Sequence, residues 1–407
     1  MNFKTLEDLD VDGKTILLRA DLNVPMKNNT VTDTMRIDRL KPTIKYLRKR
    51  KAKIIIVSHY GRPPGKRVFD MSMGFIAPVL QQRWNVPVSF SPDTIGCHVK
   101  ESIAQLPPKS VVLLENVRFY KGEKTNDDKF AKELSKLADV YVNDAFSTSH
   151  RAHASMLGIT KYLPCAAGLL LQDELEALNC ALHKPEKPIL AITGGSKIST
   201  KLNVLTNLVE KVEYLVLGGG MANTFLYAKG MSMGKSLCEK DMADTAKKIM
   251  KKAEKVGCEI ILPQDLVVTK ELQKGAFSSI VDVNNIPDST MAVDIGPKSV
   301  KYIKERIETA KTVVWNGPLG VFEIKPFDNG TNRVAQIVGK QTKKGECTSI
   351  AGGGDTVAAL DNARCGKKFS YISTAGGAFL EWLEGKKLPA ITPLLKEEKV
   401  KACKKAA

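Results

Sequence analysis

Four arginines and a histidine recur at one kind of place in the first 165 residues. Asp21 and Asn23 close an apolar run in RADLNVP, and Arg36 follows in MRIDRLKPT. His59 and Arg62 close the next in SHYGRP, Arg118 ends LLENVRF one residue before its Phe, and Arg151 stands between His150 and His153 in SHRAHAS. A guanidinium is a planar fork of donors that grips phosphate or carboxylate bidentately. One arginine after a strand is commonly a surface salt bridge. Four, with a histidine, at successive strand ends point to a bound anion. Asp21 is the odd carboxylate among them, placed to orient the arginines or to accept a substrate hydroxyl. Singly, the histidines read as structural, as do His98 and His183.

The second half carries a different set. TGGSKISTK puts two glycines directly after an apolar run, then Lys197 and Lys201. Such glycines let the backbone approach a ligand and open a helix whose N-terminus favours anions. If the helix has begun, the two lysines share a face and repel unless an anion lies between them. LGGGMANTF and AGGGDTVAAL repeat the pattern. Asp355, followed by Thr356, reads either as an N-cap or as a magnesium ligand, since Mg²⁺ takes one or two carboxylates plus phosphate oxygens and water. WNGPLGVFE supplies Asn316, Gly317, Pro318 and Glu323, the last placed to accept from ribose hydroxyls. GMSMGKS at 230–236 has three residues where a P-loop has four and follows a helix-like stretch, so it reads as a helix-ending turn. No Ser–His–Asp or GxSxG arrangement presents a nucleophile, and no HExxH occurs. Arginine, lysine, glycine and one Mg²⁺-capable aspartate suit phosphoryl transfer, which needs positioning and charge neutralisation more than a protein nucleophile.

These residues need a frame. Ten short apolar runs alternate with helix-like segments: KTILLRADLN, AKIIIVSHYGR, SVVLLENVRF, DVYVNDAF, PILAITGGSK, EYLVLGGGMA, EIILPQDLVV, TVVWNGPLG, TSIAGGGDT and FSYISTAGG. Near-continuous apolar runs are strands buried on both faces, and the alternation predicts an α/β fold with parallel sheets. Their polar ends should converge along one rim, where open parallel sheets bind ligands. Residues 169–184 predict an amphipathic helix, broken by KPEKP, which separates an arginine-tipped set of strands from a glycine-tipped one. A length of 407 residues agrees with two domains.

The net charge of +18 admits nucleic acid or an anionic substrate. Much of the excess is lysine on helix-like faces, and no RNP motif, zinc-finger spacing or recognition helix accompanies it. Eight scattered cysteines form no CxxC, as expected of reduced thiols. No apolar run is long enough to cross a membrane, and the acidic N-terminus has no leader-like stretch. A soluble cytoplasmic protein is expected, monomeric for want of an oligomerisation stripe.

In combination, ADLNVP, SHYGRP, LLENVRF, VNDAFSTSHRAHAS, GGSKISTK, LGGGMANTF, WNGPLGVFE and GGGDT resemble the phosphoglycerate kinase family in its bacterial-type form, from about residue 19 to 391. The resemblance implies two Rossmann-like domains, residues 1–165 and 186–379, joined by a helix and hinge at 166–185, with a tail from about 380 to 407 packed on the first domain. It implies reversible Mg²⁺-dependent phosphoryl transfer between ATP and 3-phosphoglycerate, giving ADP and 1,3-bisphosphoglycerate, with domain closure on both substrates. Asp21, Leu22, Asn23, Arg36, His59, Tyr60, Gly61, Arg62, Arg118 and Arg151 would hold the phosphoglycerate. Gly194, Gly195, Lys197, Gly218, Gly219, Asn316, Pro318, Glu323, Gly353, Gly354, Asp355 and Thr356 would hold the nucleotide, and Asp355 the metal. Arg36, Lys197 and Lys201 would be catalytic. Two departures stand out. STAGGA carries Ala375 where the family usually has glycine, which is unfavourable only if that position needs positive φ. The lysine-rich end, KEEKVKACKKAA, extends beyond the family core and reads as disordered or anion-binding. The alternative is a nucleic-acid- or anion-binding protein on the same fold, which predicts steeply salt-dependent binding.

Overall fold

A computed structural model describes residues 2–28, 30–182, 185–373 and 375–396. The chain divides into two compact units, Met1–Leu175 together with the residues from Lys387 onward, and Glu176–Lys386. His183, Lys184 and the lysine-rich end beyond Lys396 lie outside the described residues.

In the first unit, β1 (Thr15–Ala20), β2 (Lys53–Val57), β3 (Ser89–Ser91), β4 (Val111–Leu114), β5 (Val140–Asp144) and β6 (Cys165–Ala167) form one sheet in the order β3-β4-β2-β1-β5-β6. Every pairing is parallel. Ile16, Leu17, Leu18 and Ile54 to Val57 are fully buried, because helices cover both faces and no alternate residue reaches water. Helix α1 (Met35–Lys49) buries Ile37, Leu40, Ile44 and Leu47, spaced three to four apart, against that sheet. The C-terminal segment returns to this unit: Phe3 bridges Leu395, and Lys396 Nζ meets Asp8 at 2.7 Å.

Helix α2 (Leu169–Leu182) contains the division between the units. Its first turn is anchored in the first unit by buried Asp144, which accepts from Leu171 N at 2.8 Å and Thr43 Oγ1 at 2.6 Å.

The second unit holds β7 (Ile189–Thr193), α3 (Leu202–Leu208), β8 (Tyr214–Leu217), α4 (Gly219–Ala228), β9 (Glu259–Ile261), β10 (Asp265–Thr269), β11 (Ser278–Asp282), β12 (Met291–Ile295), α5 (Pro297–Thr309), β13 (Thr312–Asn316), α6 (Asn329–Lys343), β14 (Thr348–Gly352), α7 (Gly354–Asn362) and β15 (Tyr371–Ser373). The main sheet is again parallel, in the order β9-β8-β7-β13-β14-β15. A second sheet, β11-β10-β12, is antiparallel. This corrects the expectation of parallel sheets throughout. EIILPQDLVV is two strands in two sheets, separated at Leu262 to Gln264, where Pro263 lacks the N–H that a continuous ladder needs.

GMSMGKS is the turn that follows α4, with Gly230 at φ +94° and Gly234 at φ +51°, and no strand leads into it. Ala375 is buried, and its N–H donates to Ser373 Oγ at 3.1 Å.

Buried Asp265 fixes the start of α5. Its carboxylate accepts from Lys298 N at 3.0 Å, Ser299 N at 2.8 Å and Ser299 Oγ at 2.6 Å. Asp265→Ala strips these donors of their acceptor in a buried place and should destabilise the protein by about 2–3 kcal/mol. Urea unfolding followed by circular dichroism should show a lower midpoint, and an unchanged midpoint would mean that α5 does not depend on this cap.

Candidate active site

The parallel order of the first sheet decides which loops are neighbours. β4, β2, β1 and β5 lie side by side, so the segments after them emerge along one rim. They carry Arg118, His59 to Arg62, Asp21 to Asn23, and Ser147 to Arg151 respectively. Arg36 joins them from the first turn of α1, its Nη1 donating to Asp21 Oδ2 at 2.5 Å and to Asn23 O at 3.1 Å. Ser147 Oγ donates to the same Asp21 oxygen. Asn23 Oδ1 accepts from Gly61 N at 2.9 Å, and Arg118 Nη1 donates to Gly61 O at 2.6 Å. Leu22 N donates to Ser58 Oγ, and Asn116 Nδ2 to Tyr60 O. Arg62 is exposed.

The rim is charged beyond what its own partners offset. Burial, then repulsion from Arg151 and Arg19, lowers the Arg118 guanidinium to about 10. Burial and the neighbouring Arg19, Arg118 and Arg151 hold His59 well below its ordinary value, so its imidazole is neutral. His150 is lowered too, by burial first and then by Arg151. Arg151 Nε donates to His150 Nε2 at 3.3 Å. A neutral imidazole with a lone pair at Nε2 carries its proton on Nδ1. His150 also interacts with the Ser147 backbone, whereas buried Arg118 Nε has no hydrogen-bond partner. A buried unpaired donor among crowded cations suits the binding of an anion.

In the second unit, the ends of β7, β13 and β14 are knotted together. Lys201 Nζ donates to Gly194 O at 2.7 Å, Asn316 O at 3.0 Å and Asn316 Oδ1 at 2.7 Å, which uses all three ammonium hydrogens. Asn316 Nδ2 donates to Gly352 O at 2.8 Å, and Gly317 N to Thr356 Oγ1 at 2.7 Å. Only glycine fits at 194, where a Cβ would stand 1.7 Å from Pro318 O. Beside this knot lies a cleft of about 490 Å³, bordered by Gly194, Gly195, Lys201, Gly219, Pro318, Glu323 and Asp355. Gly218, Asn316, Gly353, Gly354 and Thr356 do not border it but hold or flank the residues that do. Lys197 is exposed and does not border the cleft. Helix α3 starts only at Leu202, with Lys201 as its N-cap residue, so Lys197 and Lys201 share no helical face. The N-cap of α7 is Gly353, not Asp355, which leaves the Asp355 carboxylate at the cleft.

A family model for phosphoglycerate kinase matches residues 6–386. The chain belongs to the phosphoglycerate kinase family. It is 55% identical to the phosphoglycerate kinase of Rhodospirillum centenum over 394 residues, covering 97% of this chain and 100% of that one. It is 52% identical to that of Sinorhizobium fredii, covering 98% and 100%. Among solved structures, phosphoglycerate kinase from Coxiella burnetii superposes with a TM-score of 0.90 at 43% identity, covering 96% of this chain and 98% of that one. The enzyme from Pyrococcus horikoshii gives 0.80 at 30%, with the same coverage. The nucleic-acid-binding alternative finds no support among these phosphoglycerate kinases.

Sequence reasoning missed Thr200, Asn223, Leu237 and Asp294, which also border the cleft. Asn223 was within reach, inside LGGGMANTF. Asp294 gave no signal, because it ends a strand of the unforeseen antiparallel sheet.

Burial lowers the Lys201 ammonium to about 8 from its ordinary 10.5, while Asp355 pulls the other way. Between those values the unfolded chain keeps a proton that the native protein has released, so stability rises with pH across that window. The contribution is present above 10.5 and lost as pH falls through about 8. Stability measured against Lys201→Met at a series of pH values should move in favour of the wild type from pH 8 to pH 10, by up to about 3 kcal/mol. A difference independent of pH would show that Lys201 does not titrate there.

Proposed function

We propose that this chain transfers the terminal phosphoryl group of MgATP to the carboxylate of 3-phosphoglycerate, reversibly, giving ADP and 1,3-bisphosphoglycerate, as a cytoplasmic monomer in glycolysis and gluconeogenesis. Its membership of the phosphoglycerate kinase family supports the reaction. The single observation that carries the site assignment is the buried, unpaired Arg118 Nε within the rim of arginines. Among the described residues, no helix is long and apolar enough to cross a membrane.

Asp21, Asn23, His59, Arg62, Arg118 and Arg151 bind the phosphoglycerate, with Leu22, Tyr60 and Gly61 shaping the loop beneath it. Gly194, Gly195, Gly219, Pro318 and Glu323 line the nucleotide cleft, backed by Gly218, Asn316, Gly353, Gly354 and Thr356. Lys197 acts from the exposed loop after β7, as a side chain that engages phosphate once the nucleotide is there. The substrate carboxylate is the nucleophile, and its low pKa makes a general base unnecessary. The bond from the γ-phosphorus to the bridging oxygen breaks, the bond to the carboxylate oxygen forms, and ADP leaves with the electron pair. Arg36 and the two lysines stabilise charge on the transferring group.

The residues fit a magnesium ion that comes with the nucleotide. The described residues hold no cluster of three or more acidic, histidine or cysteine ligands, which argues against an all-protein cage. Asp355 supplies one carboxylate at the cleft, matching the preference of Mg²⁺ for one or two carboxylates plus phosphate oxygens. The ion would neutralise phosphate charge there.

A coupled assay tests the reading. MgATP and 3-phosphoglycerate are supplied, the product is consumed by its dehydrogenase, and NADH loss is followed. Turnover should require both substrates and Mg²⁺, and its absence from a folded sample would refute the assignment. Arg36→Ala should lower kcat by about 10²- to 10³-fold while nucleotide affinity stays unchanged. Normal turnover with weakened nucleotide binding would remove Arg36 from its catalytic role.

A further inference from the structure

A further concavity in the second unit lies apart from the proposed nucleotide cleft. It is a groove of about 940 Å³ between helices α5 and α6 and the antiparallel sheet. Its floor is apolar: Val267 and Ile280, which pair across β10 and β11 and so share one face, with Ile295, Val300 and Ile337. Its rim is cationic. Lys301 and Lys304 come from α5, and Arg333, Lys340 and Lys344 from α6 and the residue after it. Lys304 meets Glu308 at 3.6 Å, the one acid on the rim. Lys301, Arg333, Lys340 and Lys344 have no ion-pair partner among the described residues. At the groove's edge, Ile280 is 59% exposed and nearby Phe277 is 88% exposed.

We propose that this groove docks an acidic amphipathic helix of a partner protein. Arg333, Ile337, Lys340 and Lys344 follow one another at spacings of four, three and four, so α6 presents one continuous charged and apolar stripe. That stripe spans about 16 Å, three turns of helix, which is more than a small anionic metabolite covers. A helix laid along it places apolar residues at three- and four-residue intervals on the floor and its carboxylates between the rim cations, the usual mode of helix-in-groove recognition. A second copy of this chain is a poor occupant, because each carries +18 and the rim repels its like. Phosphate backbones and anionic membrane surfaces match the charge but leave the apolar floor uncovered. The groove shares none of the proposed catalytic residues, so docking tethers the kinase without consuming its activity.

The probe is a fluorescein-labelled peptide of about 18 residues, helical, with leucines on one face and glutamates on the other. Anisotropy is read with the full chain, beside a scrambled peptide of identical composition, a DNA duplex and phosphatidylserine vesicles. The helical peptide should bind about tenfold tighter than the scrambled one, and the double variant Lys340→Glu/Lys344→Glu should weaken it about tenfold. Ile280→Asp, on the exposed edge strand, should weaken it too. Both variants should keep the wild-type circular dichroism and kinase turnover. Equal binding of the scrambled peptide would overturn the proposal, since charge alone would then suffice. Insensitivity to both variants would overturn it by moving the binding elsewhere. A duplex or vesicles that outcompete the peptide at this rim, or self-association that occludes it, would replace the partner helix with another occupant and likewise overturn it.

Discussion

Like charges packed at one rim repel, and the first unit is arranged around that fact. Arg19 is fully buried, with Arg118, Arg151, His59 and His153 nearby. What allows it is Glu123, itself buried. Burial alone would raise its carboxyl, but the bond to His153, the charge of Arg19 and two bonds from Ser155 outweigh that and keep it ionised. Ser155 links the two charges, donating to Glu123 at 2.7 Å and accepting from Arg19 Nε at 3.0 Å. Arg19 in turn reaches His59 Nδ1 at 3.2 Å. The arginines of the rim therefore stand on a deeper layer of paired charge, in which removal of one partner would strand the others.

The second unit solves the same problem with neutral dipoles. Lys201 is held by three oxygens of the strand ends, none of them charged. Carbonyls orient a cation without neutralising it, so the ammonium keeps its field but feels its burial, and its proton is loosened. An arginine in that place could not respond so, because its guanidinium stays protonated. The difference suits the two ligands. A rim proposed to hold phosphoglycerate must keep its charge against solvent, whereas a lysine proposed to lie beside a nucleotide would be recharged by the phosphates that it meets.

Much of this was legible in the sequence, for a specific reason. Strands buried on both faces leave continuous apolar runs, and a parallel sheet puts every run's polar end on one edge. RADLNVP, SHYGRP, LLENVRF and the segment after DVYVNDAF therefore announced both the strands and the rim their ends share. What stayed hidden lacked that signature. SSIVD at 278–282 is a half-exposed edge strand with two serines, hard to tell from a loop, and the short CAA at 165–167 was read as part of a linker. The groove on α5 and α6 was hidden as well, because the sequence does not show that its lysines ring an apolar floor built from a sheet it did not reveal.

The start of α3 shows where spacing misleads. Lys197 and Lys201 are four apart, which places them on one face only if the chain is helical between them. TGGSKISTK turns instead, since Gly195 at φ +147° leaves the strand in a direction that a side chain would resist, and the helix waits for Leu202. The consequence is chemical. A helix beginning at the glycines would have fixed both lysines at a common depth. The loop separates them, one half-buried on the strand ends and one exposed, so that one cation is set before any ligand arrives and the other is free to follow it. Positioning in this unit is thus divided between a fixed group and an exposed one, and the glycine pair, more than either lysine, is what makes the division.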